Sequence, residues 1–199
     1  MQIEIGNQPR MELQELLEGA ITPLPIALVS TVGPDGVNNA APFSLVFPVC
    51  WQPPIVCASF GYRKGQPKDS SRNISLTGDF VINIMDEDRI KPTIRTAADY
   101  PAGVDEMKEV GLTAAPAARV KSPLVAEARV SLECRVVRSL QFGQGDSLRD
   151  VFFGEVVMVH VKDEMWADGK IDPLRLKAVG RVATGVYCRT NDLFKQGIS

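Results

Sequence analysis

Apolar and polar positions change their period several times along this 199-residue chain, and the changes mark its elements. In residues 12–18, Leu13, Leu16 and Leu17 recur at helical spacing on one face, and Gly19 is placed to end a short amphipathic helix. Residues 26–32 are rich in β-branched and apolar residues, a strand stopped by the turn Gly33-Pro34-Asp35-Gly36, so residues 37–44 return as the second arm of a hairpin. Pro42 in that arm has no N–H to give, and the pairing is expected to loosen there. Further strands are read at 55–60, 80–85, 128–140 and 151–161, with a short final one near 185–189. Gly154, inside the strand at 151–161, predicts a bulge or a close backbone approach. A helix over roughly 70–76 falls between the strands at 55–60 and 80–85. Residues 87–123 change character: helical stretches at 88–98 and 104–110 alternate with Pro101, Gly103, Gly111, Pro116 and Pro123, an excursion from the sheet. Six or more strands with helices confined to connections predict a mostly β chain, an antiparallel barrel with peripheral helices, as one domain over 1–199 with 1–20 as an N-terminal extension.

Composition narrows this picture. With 45% hydrophobic and 23% charged residues, the chain is long enough for one sizeable core. A net charge of −2 and the lack of an extended basic run argue against nucleic acid, whose binding needs a broad positive surface. No apolar run approaches the length of a membrane span, so a soluble, cytoplasmic protein is expected. Cys50, Cys57, Cys134 and Cys188 form no CxxC pair and have no neighbouring histidine, which leaves them as reduced, buried thiols rather than zinc or dithiol chemistry.

Against the negative whole, residues 63–73 carry Arg63, Lys64, Lys68 and Arg72 against Asp69, a local charge of +3 at a helix start. The first turn of a helix leaves backbone N–H groups without intrahelical partners, and with the helix dipole these favour a phosphate. Asp69 or Ser70 is the expected N-cap, and a solvated helix cap with no ligand is the alternative reading. Other chemistries find less support. The single histidine, His160, lies in a strand with no nucleophile-bearing turn beside it, which points to a structural or surface role. Asp86-Glu87-Asp88 reads as a helix cap, with no histidine to complete a transition-metal site. Gly33-Pro34-Asp35-Gly36 has neither GxGxxG nor Walker spacing. What remains is a redox cofactor that brings its own chemistry, and flavin mononucleotide (FMN) suits a phosphate site near the irregular arm of residues 39–44.

Four segments in order, Pro25-Ile26-Ala27-Leu28-Val29-Ser30-Thr31-Val32, Asn39-Ala40-Ala41-Pro42-Phe43-Ser44, Lys68-Asp69-Ser70-Ser71-Arg72-Asn73-Ile74 and Gly78-Asp79-Phe80-Val81-Ile82-Asn83, resemble the flavin reductase-like family, the FMN-binding split barrels. Later segments, among them Pro101-Ala102-Gly103-Val104-Asp105-Glu106 and Gly154-Glu155-Val156-Val157, extend the resemblance over residues 21–189. It implies a split β-barrel of Greek-key topology, a homodimer, and FMN at or near the subunit interface. It places Ser30 and Thr31 beside the flavin, with only one of the two side chains reaching it because strand neighbours face opposite ways. Asn39, Ala41, Pro42, Phe43 and Ser44 would border the ring, Ser59, Lys68, Asp69, Ser70 and Asn73 would surround the phosphate, and Arg181 and Tyr187 would close the pocket. The implied activity is reduction of bound FMN by NAD(P)H with electrons passed to free flavin or a redox protein. The chain departs from the family at Gly143-Gln144-Gly145-Asp146-Ser147-Leu148, where nicotinamide-using reductases often carry a histidine. A flavoredoxin-like electron carrier is therefore the alternative, and a cofactor-free interaction module the blander one.

Overall fold

The computed structural model describes residues 1–6, 8–101, 103–194 and 196; Ala102 of the segment 101–106 lies outside them. Seven main strands form one antiparallel sheet: β1 (Ala27–Val32), β2 (Asn38–Phe43), β3 (Val46–Trp51), β4 (Pro54–Arg63), β5 (Asp79–Ile84), β6 (Val130–Phe142) and β7 (Arg149–Val161). Their order is β2-β1-β5-β6-β7-β4-β3. The two edge strands, β2 and β3, are consecutive in sequence with only Ser44 and Leu45 between them, so the sheet has to curl until its edges meet. At the meeting point the Ser59 N–H of β4 donates to the Leu45 carbonyl. The result is a split β-barrel of Greek-key topology.

Helix α1 (Arg10–Ala20) precedes the barrel and runs through Gly19, one residue beyond the expected stop. Helix α2 (Asp69–Thr77) ends where Gly78 takes φ +76°, a left-handed conformation that glycine adopts without strain. It lies across the barrel mouth with Ser70, Ser71, Asn73 and Ile74 buried. The interior combines Ile74 with Val29, Phe43, Phe60, Phe80, Ile82 and Phe152. Phe60 meets Phe43 and Phe152 edge-on at centroid separations of 4.5 and 5.7 Å, a favourable aromatic geometry. A second core of Leu28, Ala40, Met85, Met107, Leu112 and Val125 lies on the outer face of β1 and β2. It is covered by the excursion, which contributes α3 (Ile90–Arg95) and α4 (Glu106–Val110). With both faces of β1 covered, it is buried without alternation from Ala27 to Thr31, and its two polar residues, Ser30 and Thr31, are buried with the rest.

Three local features differ from or sharpen the sequence expectation. The pairing of β1 with β2 continues without a register shift through Leu28↔Pro42. The proline is tolerated because β2 is an edge: the Ala40 N–H, two residues earlier and on the same side of the strand, points away from β1, and so does the position where Pro42 lacks its own. Strand β3 was not anticipated, since Pro48 interrupts it and the pairing with β4 shifts between Pro48 and Cys50. Gly154 stands beside a bulge and at a close approach: it pairs with Val136, next to the extra residue Val137 of β6, and a Cβ there would lie 2.7 Å from the Phe80 ring. Beyond β7, α5 (Pro173–Leu176) leads into β8 (Val179–Ala183) and β9 (Val186–Arg189), which pair with each other and, through β8, with Leu24–Pro25.

Candidate functional site

The start of α2 is unlike the cap that its sequence predicts. Lys68, extended at φ −64° and ψ 156°, occupies the N-cap position, and no side chain caps the helix. The N–H groups of Asp69, Ser70 and Ser71 are left for an external acceptor. Lys68 is exposed, with its ammonium 5.3 Å from the centre of the Phe43 ring. Partial desolvation, then the nearby guanidiniums of Arg149 and Arg63, hold Lys68 below the usual lysine value.

Arg149 is the cation that sequence reading missed. It opens β7 opposite Gly61 of β4, and its Nε and Nη2 donate to the hydroxyl and carbonyl oxygens of Ser59 at 2.8 and 2.9 Å. Gly61 leaves room for it, since a Cβ there would stand 3.0 Å from Nη1. Desolvation and then Arg10 of α1 hold Arg149 below the usual value, while Glu18 opposes them. Arg63, Arg72 and Arg181 each pair with a carboxylate, of Asp99, Asp69 and Glu18 respectively. Among the described residues Lys68 and Arg149 pair with none, so two cations face one uncapped helix start.

Behind this anion-binding corner lies a polar network inside the barrel mouth. Asn73 Nδ2 donates to Thr31 Oγ1 at 3.1 Å. The Asn39 carboxamide stands between the hydroxyls of Ser70 (2.9 Å) and Thr31 (3.2 Å) on one side and Glu106 Oε1 (3.1 Å) on the other. Glu106 Oε2 accepts the Ala40 N–H at 3.1 Å. Glu106 is 8% exposed, and burial, with lesser repulsion from Asp69 and Asp105, pushes its carboxyl from about 4.5 up to about 6. Ser71 on the same helix donates to Asp150 of β7, which also accepts from Gln141 Nε2 (2.8 Å) and the Tyr62 hydroxyl (3.3 Å), tying α2 to the sheet.

The structure thus gathers Thr31, Asn39, Ser70 and Asn73 by direct hydrogen bonds, with Lys68, Asp69 and Phe43 at the helix start and Ser59 joined through Arg149. Ala41 packs on the barrel interior. Ser44 accepts from Arg181 Nη1 at 3.1 Å, and Arg181 also reaches Glu18 of α1 at 2.8 Å. Ser30 stands apart, on the opposite face from Thr31, with its hydroxyl donating to the Pro123 carbonyl and accepting from Asn83. Pro42 lies on the outward side of β2, where the Ala40 amide is already taken by Glu106 and Pro42 has none, so that edge offers a ring fewer donors than its sequence implies. Tyr187, the strand partner of Arg181, opens on a separate cavity of about 380 Å³ with Glu87, Ile90 and Arg189. Glu106 and Arg149 escaped the sequence reading because each reaches the site through long-range packing, although a lone arginine after a glycine-rich turn was a usable signal for the second.

Comparisons with known proteins bear on this arrangement. The model of the flavin reductase like domain matches residues 19–175. An uncharacterised protein of Halalkalibacterium halodurans is 35% identical over 98% of this chain and 94% of its own length. Nitrilotriacetate monooxygenase component B from Bacillus cereus superposes with a TM-score of 0.94 at 31% identity, covering 98% of both chains. The 2-nitrobenzoate 2-nitroreductase NbaA of Pseudomonas fluorescens gives 0.87 at 26% identity, over 100% of this chain and 96% of the other.

Proposed function

This chain belongs to the flavin reductase-like family, and we propose that it is an FMN-binding oxidoreductase whose flavin takes electrons from NAD(P)H and passes them to free flavin or a redox protein. The observation that carries the FMN reading is the corner where Lys68 and Arg149, neither paired with a carboxylate among the described residues, face the uncapped start of α2 in a chain of net charge −2. That donor set fits a phosphate: three backbone N–H groups, two cations and the Ser70 hydroxyl supply charge-assisted bonds to a dianion. Ser59 holds one edge of the Arg149 guanidinium by two hydrogen bonds, so its orientation is set before a ligand arrives. Thr31, Asn39 and Asn73 hold the inner wall, and Ser44 with Arg181 holds the far side. When bound, the flavin supplies the redox step itself, accepting a hydride and releasing its electrons to an acceptor. The residues of this chain contribute binding, orientation and exclusion of water.

The resemblance also implies a homodimer, and one surface supports it. Phe47, Val49 and Trp51 of edge strand β3 are 50%, 46% and 79% exposed, an apolar edge that favours a cover. We assign its cover to a second copy of the chain.

A second reading, an electron carrier with little use for nicotinamides, is favoured by one observation. The connection between β6 and β7 is a compact turn in which Ser147 and Leu148 N–H groups donate to Gln144 and Gly145 carbonyls, and it presents Asp146 with no histidine. Purified protein is expected to be yellow or to turn yellow with added FMN; colourless protein that quenches no FMN fluorescence overturns the flavin reading. Stopped-flow bleaching of the flavin with NADH and NADPH then separates the two. Rapid bleaching by either donor supports the reductase, and bleaching only by a reduced redox protein supports the carrier.

A further inference from the structure

Glu106 lies behind the phosphate corner rather than in it, and its connection runs through a single carboxamide. Asn39 presents one end to Glu106 Oε1 at 3.1 Å and the other to the hydroxyls of Ser70 and Thr31 at 2.9 and 3.2 Å. Both ends of the amide have partners in either orientation, and the two orientations make opposite demands on Glu106. With Nδ2 toward an ionised Glu106, Oδ1 accepts from Ser70 and Thr31. With the amide reversed, Nδ2 donates to both hydroxyls, and Oδ1 then faces a Glu106 oxygen that must carry a proton. A hydroxyl has one proton to give, so the first arrangement spends the Ser70 proton on Asn39, while the second releases it to another acceptor.

We infer that Glu106 is a positioning residue for the anion-binding corner, setting through Asn39 whether the Ser70 hydroxyl can donate to a bound phosphate. The inference rests on the FMN reading above. Protonated Glu106 frees two buried hydroxyl protons, those of Ser70 and Thr31, which are poorly satisfied until an acceptor arrives. Anion binding therefore favours uptake of a proton at Glu106, and by linkage the proton favours the anion. Ionised Glu106 does the reverse and adds a negative charge to its acidic neighbours. These are Asp105 on its own helix, partly offset by Lys108 at 3.6 Å, and Asp69 on α2, held by Arg72. From β2 the Ala40 N–H and the Asn39 amide face it. The raised affinity of the carboxyl for its proton puts this exchange between pH 5 and 7, where a free glutamate would already be ionised.

Glu106→Gln is the direct test, because glutamine accepts the Ala40 N–H, donates to Asn39 and cannot ionise, which fixes the arrangement with the Ser70 proton free. FMN affinity is measured by fluorescence titration from pH 5 to 7.5 for wild type and variant. The titration of the FMN phosphate itself cancels in the ratio of the two dissociation constants. That ratio is expected to grow by about ten-fold across the range, the equivalent of one hydrogen bond. Calorimetry in two buffers of different ionisation enthalpy is expected to show proton uptake at Glu106 in the wild type alone. Ser70→Ala, with Glu106 intact, is expected to flatten the wild-type profile in the same way, which keeps the test open if Glu106→Gln folds poorly. Parallel profiles in wild type and both variants, with FMN bound, overturn this inference alone. No FMN binding by any of them overturns the FMN reading and this inference together.

Discussion

Arg149 shows how one residue acquires a role that its own sequence context does not announce. Its guanidinium is turned into the Ser59 end of β4, beside Gly61, where it is partly desolvated and unpaired with any carboxylate among the described residues. An arginine in that state is held ready for an anion. Arg149→Ala is expected to weaken FMN binding by about ten- to a hundred-fold, the worth of one charge-assisted hydrogen bond, and to leave riboflavin, which lacks the phosphate, nearly unaffected. Fluorescence titration with both ligands measures this, and equal losses for the two would detach Arg149 from the phosphate. Lys68→Glu is expected to follow the same pattern more steeply, because it replaces a donor with a repulsive charge. Glu106 makes a different prediction in the ligand-free protein. Its carboxyl is raised in the folded state, so the fold holds its proton more tightly than the unfolded chain does. Stability is then greatest below about pH 4.5 as far as this group is concerned, declines as the pH rises toward about 6, and is level above that, a total of about 2 kcal/mol. Denaturation of Glu106→Gln between pH 4 and 7 is expected to lack that decline.

At the scale of elements, a second buried carboxylate holds the excursion to the barrel. Glu133 of β6 has no exposed surface and accepts the N–H groups of Ala118, Arg119 and Val120 at 2.7, 2.6 and 3.1 Å, while His160 Nε2 meets its Oε1 at 2.5 Å. Burial works to raise this carboxyl, but the Ala118 N–H, the His160 ring and the Arg119 N–H outweigh it and hold it below the usual range. Asp79 does similar service for Lys121 and Ser122. Two strands thus present carboxylates to an irregular segment whose N–H groups have no ladder. Glu133→Ala leaves three such donors without a partner and is expected to destabilise the fold by on the order of 3 kcal/mol, with faster amide exchange at 118–120. His160→Ala, at a half-exposed position, is expected to cost less than about 1 kcal/mol. The structural role read for His160 rested on its strand context, whereas its partner was invisible until β6 and β7 were paired. The same division holds elsewhere. The strands at 27–32, 79–84 and 149–161 and the presence of α2 between two of them were legible because their signals are local: stretches rich in apolar and β-branched residues, a glycine stop, clustered cations. β3 was not, because Pro48 and a bulge break the strand pattern, and β8 was not read as a strand because Gly180 and Arg181 interrupt its short apolar stretch. Thr31, Asn39 and Asn73 were reached through family resemblance, since no local pattern distinguishes them from other polar residues in strands and helices.

For the whole molecule, closure of the sheet and its remaining open edge have to be considered together. Joining edge strands β2 and β3 through two residues closes the barrel but leaves β3 with its outer side unpaired, carrying Phe47, Val49 and Trp51 into solvent. Such an edge invites association, and natural β proteins blunt it with charges or cover it. Pro48 and the register shift beside it interrupt this edge, but no charged residue stands from Val46 to Trp51, so its apolar side chains favour a cover. α1 lies near the phosphate corner, with Arg10 close to Arg149 and Glu18 on Arg181, and it exposes Met11 and Leu17 as well. A second copy docked over β3 would bury this apolar surface beside the proposed cofactor site, which links assembly to cofactor retention. Light scattering is expected to give the wild type twice the 21.7 kDa chain mass. Replacing Phe47 and Trp51 together by Asp introduces two charges at positions that a dimer would desolvate, and it is expected to yield the single-chain mass with an unchanged far-ultraviolet spectrum. FMN affinity in that monomer is expected to fall although no residue of the phosphate corner has changed. A wild type that runs at the single-chain mass, or a monomeric variant with undiminished affinity, would separate assembly from the cofactor site.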